Sequence, residues 1–214
     1  MLRIIGIGLL LVVIAALALV YAAGKGMFGE HEPPGVVTQV ARPPEQVARS
    51  GSEVLGAARD VGVAAPREVL FGDLHVHTTF SFDAFLLSLP ALSGEGTHPP
   101  ADACDFARFC SALDFWSIND HAMALTPDHW RETVDSIRQC NAVSGDAASP
   151  DTVAFLGWEW TQVGLTPGDH YGHKNVVLRD TEDGRIPTRP ISAFRTGLAR
   201  PPVLRRGLVA LMAG

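Results

Sequence analysis

Lysine is nearly absent from this chain. Of 17 basic residues only Lys25 and Lys174 are lysines, and with 23 acidic residues the formal net charge is −6. The arginines are scattered and form no basic stripe, so nothing provides the electrostatic footprint of a nucleic-acid partner. Cysteine is scarce too: Cys104, Cys110 and Cys140 include no Cys-x-x-Cys pair, which argues against a thiolate zinc site. An odd count predicts, in an oxidising compartment, one disulfide and one free thiol. Cys110, closing one predicted helix, and Cys140, near the end of the next, are the expected bridge, with Cys104 left reduced.

Charge is also missing from Ile4 to Gly24, a run of Ile, Leu, Val and Ala with three Gly and one Tyr behind Arg3. About 20 apolar residues at 1.5 Å rise cross a hydrocarbon core of ~30 Å. No polar face interrupts the run, which disfavours a buried core helix. It exceeds the roughly 7–15 residues of a cleaved signal core, although Val20-Tyr21-Ala22 is an acceptable cleavage site. Residues 1–24 are therefore expected to be a signal anchor or signal peptide. The protein is expected to be exported, facing the periplasm or outside if anchored and secreted if cleaved. The segment 25–67, with Pro33-Pro34, Pro43-Pro44 and Pro66, has no sustained period and reads as a linker or lead-in; His31 there reads as solvated.

From residue 68 to 214 the pattern is that of one α/β domain, a length that suits a single core. Val69 to His77 reads as a strand on which Asp73, His75 and His77 share one face and Leu74 and Val76 the other. Two imidazoles at that spacing reach one cation. Thr78, Thr79, Ser81 and Asp83 follow as a polar loop. Residues Ala101–Ala112 read as a helix turning Phe106, Phe109 and Leu113 to the core. A second strand, Leu113–Asn119, ends in Asp120-His121. Thr126-Pro127 caps a helix to about Ala142 with the apolar stripe Trp130, Val134 and Ile137, leaving His129 on the surface. A third strand, Val153–Gly157, ends in Trp158-Glu159-Trp160, and His170 and His173 precede a fourth, Asn175–Leu178. A carboxylate between two indoles is unusual for a solvated glutamate, and burial would raise its pKa unless a cation or donor held it ionised. Alternating strands and helices give parallel topology, with His75, His77, His121 and Glu159 at strand carboxyl ends.

Gly72-Asp73-Leu74-His75-Val76-His77-Thr78, Asn119-Asp120-His121, Gly157-Trp158-Glu159 and His173 resemble the successive motifs of the polymerase and histidinol phosphatase (PHP) superfamily. The wording around them, Leu70 to His77 and His173 to Arg179, is similar to an uncharacterised exported branch of it, with similarity from about Val69 to Arg195. The resemblance implies a partial, distorted (β/α) TIM-like barrel whose strand ends hold two or three divalent metals for phosphoester hydrolysis. By position, His75, His77, Asp83, His121 and Glu159 match family ligands, with His173 next and His170 its rival. His and carboxylate ligation admits Zn, Mn or Fe. Glu159 or Asp83 suits a bridging position; Asp73 and Asp120 are expected to orient imidazoles and, with Glu159, to form the catalytic set.

The same resemblance implies a later histidine and a terminal Asp-x-His pair. The sequence has no histidine after His173 and breaks off in a run, Val203–Met212, that reads as a new helix. The chain is therefore expected to be a C-terminally truncated, incomplete domain. The branch also carries a glutamate where Met123 stands here. Three readings follow: a metal-dependent phosphoesterase acting on a small-molecule or phosphoester substrate, another metallohydrolase on the same ligands, or a membrane-tethered, non-catalytic fragment or binding protein that retains part of a metal site.

Overall fold

The computed structural model describes residues 2–24, 27, 33–65, 69–81, 83–85, 98–193 and 207. His31 lies outside them, as does the Val203–Met212 run apart from Gly207. Helix α1 (Leu2–Gly24) contains a span, Ile5–Ala23, long and apolar enough to cross a membrane. Its large side chains, from Ile5 to Leu19, are exposed.

Helix α2 (Pro44–Asp60) stands in the segment where the sequence shows no sustained period. Pro44 at its first position supplies a preset φ and lacks a hydrogen that the first turn could not use. Gly51 and Gly56 dilute its apolar side, which hid the helical spacing. Val47, Val54 and Leu55 of that side share a cleft with Leu70, Phe71 and Val153.

The main sheet has four strands, β1 (Gly72–Val76), β2 (Phe115–Ile118), β5 (Val153–Gln162) and β6 (Gly172–Leu178), hydrogen-bonded in that order. β1, β2 and β5 run parallel, as the alternation of elements predicts. The last step is antiparallel: β6 returns beside β5 as a hairpin, with Thr161 opposite His173. Gly172, at φ 72°, makes the left-handed entry into β6 that an L side chain resists. A small ribbon of β3 (Gly145–Asp146) and β4 (Ser149–Pro150) precedes β5. The four strands curl into a half-barrel whose outer strands approach each other. Asn175 Nδ2 on β6 donates to the Leu74 carbonyl of β1 at 2.7 Å. Gly157 permits this curvature, because a Cβ there would run into the Val176 carbonyl.

Two helices cover the convex side of the sheet. Helix α4 (Pro127–Ala142) starts at Thr126, whose side chain accepts from His129 N, and buries Trp130, Val134 and Ile137. The Trp130 ring meets Trp158 of β5 edge to face at 5.8 Å between centroids. His129 is half-buried rather than on the surface: its ring stacks on Phe80 at 4.1 Å.

The other covering element departs from the sequence reading. Helix α3 (Pro100–Asp105) passes into a π-helical turn, Phe106–Cys110. Its buried side is Ala101, Cys104, Ala107 and Arg108, whereas Phe106 and Phe109 are 63% and 45% exposed. Hydrophobicity alone favoured the phenylalanines; the deciding interactions are polar and disulfide. Arg108 donates from Nε to Asp151 at 2.8 Å and from Nη2 to the Cys140 carbonyl at 2.7 Å. Cys104 is bonded to Cys140 with Cα atoms 6.0 Å apart, which corrects the Cys110–Cys140 expectation. Cys110 is the exposed free thiol, because the turn that buries Cys104 and Arg108 carries it outward.

Candidate metal centre

Every ligand expected from the sequence reaches one mouth of the half-barrel. The first loop turns at Thr78–Ser81, where Ser81 N donates to the Thr78 carbonyl at 3.0 Å. Asp120, fully buried at the end of β2, accepts from Thr78 N and Thr78 Oγ1, both at 2.7 Å. This fastens the β1 loop to β2. Past the end of β2 the pairing with β5 continues: Glu159 N donates to the Asp120 carbonyl at 3.0 Å and Ala122 N to the Glu159 carbonyl at 2.9 Å. His121 and Glu159 thereby become neighbours across a single parallel bridge.

The side chains then interlock around Glu159. His75 Nε2 and His77 Nε2 lie 2.9 and 3.0 Å from Glu159 Oε2. His173 Nδ1 contacts Glu159 Oε1, and His121 Nδ1 lies 3.4 Å from the same oxygen. His121 Nε2 faces Asp83 Oδ2 at 3.0 Å. Three groups emerge whose ligand atoms all lie within 4.8 Å of one another: His75/His77/Glu159, His77/Asp83/His121 and His121/Glu159/His173. Neighbouring donors on one cation, each about 2.0–2.2 Å away, stand about 3–4 Å apart, so this donor set fits a divalent ion. The His, Glu and Asp groups are positioned to hold a metal ion.

Access is graded across the mouth. Glu159 is 1% exposed, while His75 and His173 at the rim are each 51% exposed. Trp158 and Trp160 flank Glu159 in sequence but alternate to the other face of β5, where they join the core. Burial pushes the Glu159 carboxyl up, but hydrogen bonds from Thr161, His75 and His173 and the field of His121 outweigh it and hold it down to about 2. Burial lowers His77, partly opposed by Asp120, so its imidazole stays neutral and keeps its lone pair. Burial acts against Asp83 as well, yet the His121 hydrogen bond and charge leave that carboxyl below its usual range. At Asp120 burial prevails over the bonds from Thr78 and Ser81, and the carboxyl is raised.

His173, not His170, joins the cluster, because His170 Nδ1 turns to the Gly164 carbonyl at 3.2 Å. The two aspartates expected to orient imidazoles act on backbone and loop instead. Asp73 Oδ1 accepts from His75 N at 2.8 Å, and Asp120 holds Thr78. Hydroxyls meet the rings in their place: Ser81 Oγ lies 2.8 Å from His77 Nδ1 and Thr161 Oγ1 2.8 Å from His121 Nδ1. Thr161 was not singled out from the sequence; its signal is the period of two that puts it on the Glu159 face.

A family model described as "Protein of unknown function (DUF3604)" matches residues 64–127. That stretch carries His75, His77, Asp83 and His121 and ends before Glu159 and His173. Comparison with curated proteins finds no match, and comparison with solved structures finds none either. The chain is thus similar to that family over β1, its loop, α3 and β2, the part that supplies four of the six clustered ligands.

Proposed function

We propose that this domain is a metal-dependent hydrolase of PHP type, acting on small-molecule phosphoesters from one mouth of a distorted, TIM-like (β/α) barrel. The observation that carries the reading is the sharing of His77 and Glu159 among overlapping ligand groups, where β1 and β2 end beside β5. Ligands shared in this way would hold two cations side by side, the arrangement that two-metal phosphoester chemistry uses. Zinc, manganese or iron fits the His and carboxylate donors. When bound, such ions lower the pKa of water from 15.7 to about 7 and clamp phosphoryl oxygens.

The chain's own residues have separable tasks. Glu159 offers Oε2 to His75 and His77 and Oε1 to the His173 side, while Asp83 faces His121 Nε2. Asp120 keeps the β1 loop at a fixed distance from β2. The exposed rim of His75 and His173 leaves the substrate side open to solvent.

A panel of phosphomonoesters and phosphodiesters, assayed with Mn or Zn on metal-stripped protein, tests the reaction. Turnover that disappears with chelator and returns with metal is expected. Hydrolysis of amides but not phosphoesters would move the protein to another metallohydrolase class, and metal uptake without any turnover would make it a binding protein. Cation affinity should hold at neutral pH and weaken in acid, reaching His77 only below its ordinary 6.5 because burial keeps that ring neutral. Affinity that rises on acidification would contradict this donor set.

The same proposal places the domain outside the cytoplasm, tethered by α1 or released after its cleavage. Two features support it: the apolar span Ile5–Ala23 and the Cys104–Cys140 disulfide, a bond typical of oxidising compartments. Protease added to cells stripped of any outer envelope should digest the domain while cytoplasmic proteins survive, and the full-length chain should sediment with membranes if uncleaved. Full-length protein in the soluble cytoplasmic fraction would exclude the tether.

A further inference from the structure

We infer that Thr161 is a positioning residue that locks the His121 imidazole with its proton on Nδ1, so that Nε2 and Asp83 form one seat for a cation. The inference rests on the metal-site reading above and assigns a role to a residue outside the ligand set.

Hydrogen counting carries it. Thr161 Oγ1 lies 2.6 Å from Glu159 Oε1, a separation that requires a proton between the two oxygens. An ionised carboxylate has none, so the hydroxyl donates. A threonine hydroxyl has a single proton, and it is now engaged. His121 Nδ1, 2.8 Å from the same Thr161 oxygen, must therefore donate its own N–H. Its second neighbour, Glu159 Oε1 at 3.4 Å, is also an acceptor and favours the same proton position.

With one proton fixed on Nδ1, Nε2 is the atom left to hold either a second proton, when the ring is charged, or a cation through its lone pair. That atom is aimed at Asp83 Oδ2, 3.0 Å away. A lone pair and a carboxylate oxygen repel at this distance unless a proton or a cation lies between them, and a divalent cation satisfies both. Thr161 thus does for His121 what a carboxylate does in many histidine–metal sites, with Glu159 standing behind it. The arrangement also ranks the three candidate groups. Because Nδ1 is occupied by Thr161, His121 cannot turn that atom to the His173 side, and it serves the Asp83 side through Nε2.

The test uses the full chain in detergent, labelled with nitrogen-15 at histidine, with zinc as the probe ion. Long-range proton–nitrogen correlation is expected to show His121 Nδ1 protonated both without zinc and with it, and Nε2 shifted by zinc. Thr161→Val keeps the shape and removes the hydroxyl; zinc affinity should fall about 10–100-fold. Thr161→Ser should restore affinity and the Nδ1–H signal. Thermal unfolding of each variant shows whether it is folded. An unprotonated Nδ1 in the wild-type chain would overturn the inference, as would wild-type affinity in a folded Thr161→Val or no rescue by serine. Failure of the wild-type chain to bind zinc is a different outcome: it removes the metal-site reading, while the zinc-free spectrum still decides the His121 proton.

Discussion

His75→Ala combined with His77→Ala is expected to abolish cation binding, and Glu159→Gln alone should weaken it by at least about 100-fold, beyond the usual effect of removing an outer-shell partner. The reason is the sharing. His77 and Glu159 each belong to two of the three ligand groups, so either change damages more than one cation position. Glutamine keeps the shape of Glu159 but replaces an anionic oxygen with an amide that donates towards the rings. Its one remaining oxygen can still accept from Thr161, which turns the amide nitrogen to the His75 and His77 side. His170→Ala and His98→Ala should leave binding unchanged, because His170 faces the Gly164 carbonyl and His98 pairs with Asp102. Equilibrium dialysis with zinc on metal-stripped protein measures all four. Retention of wild-type affinity by Glu159→Gln would remove that carboxylate from the site.

Asp151→Ala is expected to cost about 3–5 kcal/mol of folding stability, because it leaves a buried guanidinium without its counter-charge. Arg108 is 0% exposed and bridges Asp151, the Cys140 carbonyl and the Cys104 sulfur. Asp151 also accepts from Arg42 N at 2.7 Å, so the loss extends to the lead-in segment. Adding Arg108→Met should recover part of the loss, since the orphaned charge goes with it. Denaturant unfolding under oxidising conditions, with the disulfide intact, gives the number. A change below about 1 kcal/mol would mean that the pair behaves like a surface salt bridge.

The candidate site was the most legible part of the sequence because its signals are local. His75 and His77 alternate along one strand and His121 follows a second, while Glu159 lies within the third, which runs on to Gln162 rather than ending at Gly157. Parallel pairing of β1, β2 and β5 then brings them together across 84 positions. The antiparallel turn to β6 was not legible, since the identity of a neighbouring strand depends on a nine-residue stretch, Val163–Tyr171, whose turn is set by Thr166 and Asp169. Burial on α3 was read on the wrong side. The helical spacing of Phe106 and Phe109 is a correct amphipathic signal, but Arg108 finds an anion, a carbonyl and the disulfide together, and these outweigh two exposed rings. The cysteine pairing failed for the same reason, because one rotation of that helix decides both. Helix α2 was hidden by its own glycines and by prolines that mark a helix start as readily as a loop.

The account turns on whether the cluster around Glu159 takes up metal. Isothermal titration of zinc or manganese into the chelator-stripped full-length chain, with metal content checked on the desalted complex, addresses that directly. Saturable binding at more than one equivalent is expected, lost together with His75 and His77. Binding absent from the wild-type chain, or unchanged in the His75→Ala/His77→Ala variant, would contradict it.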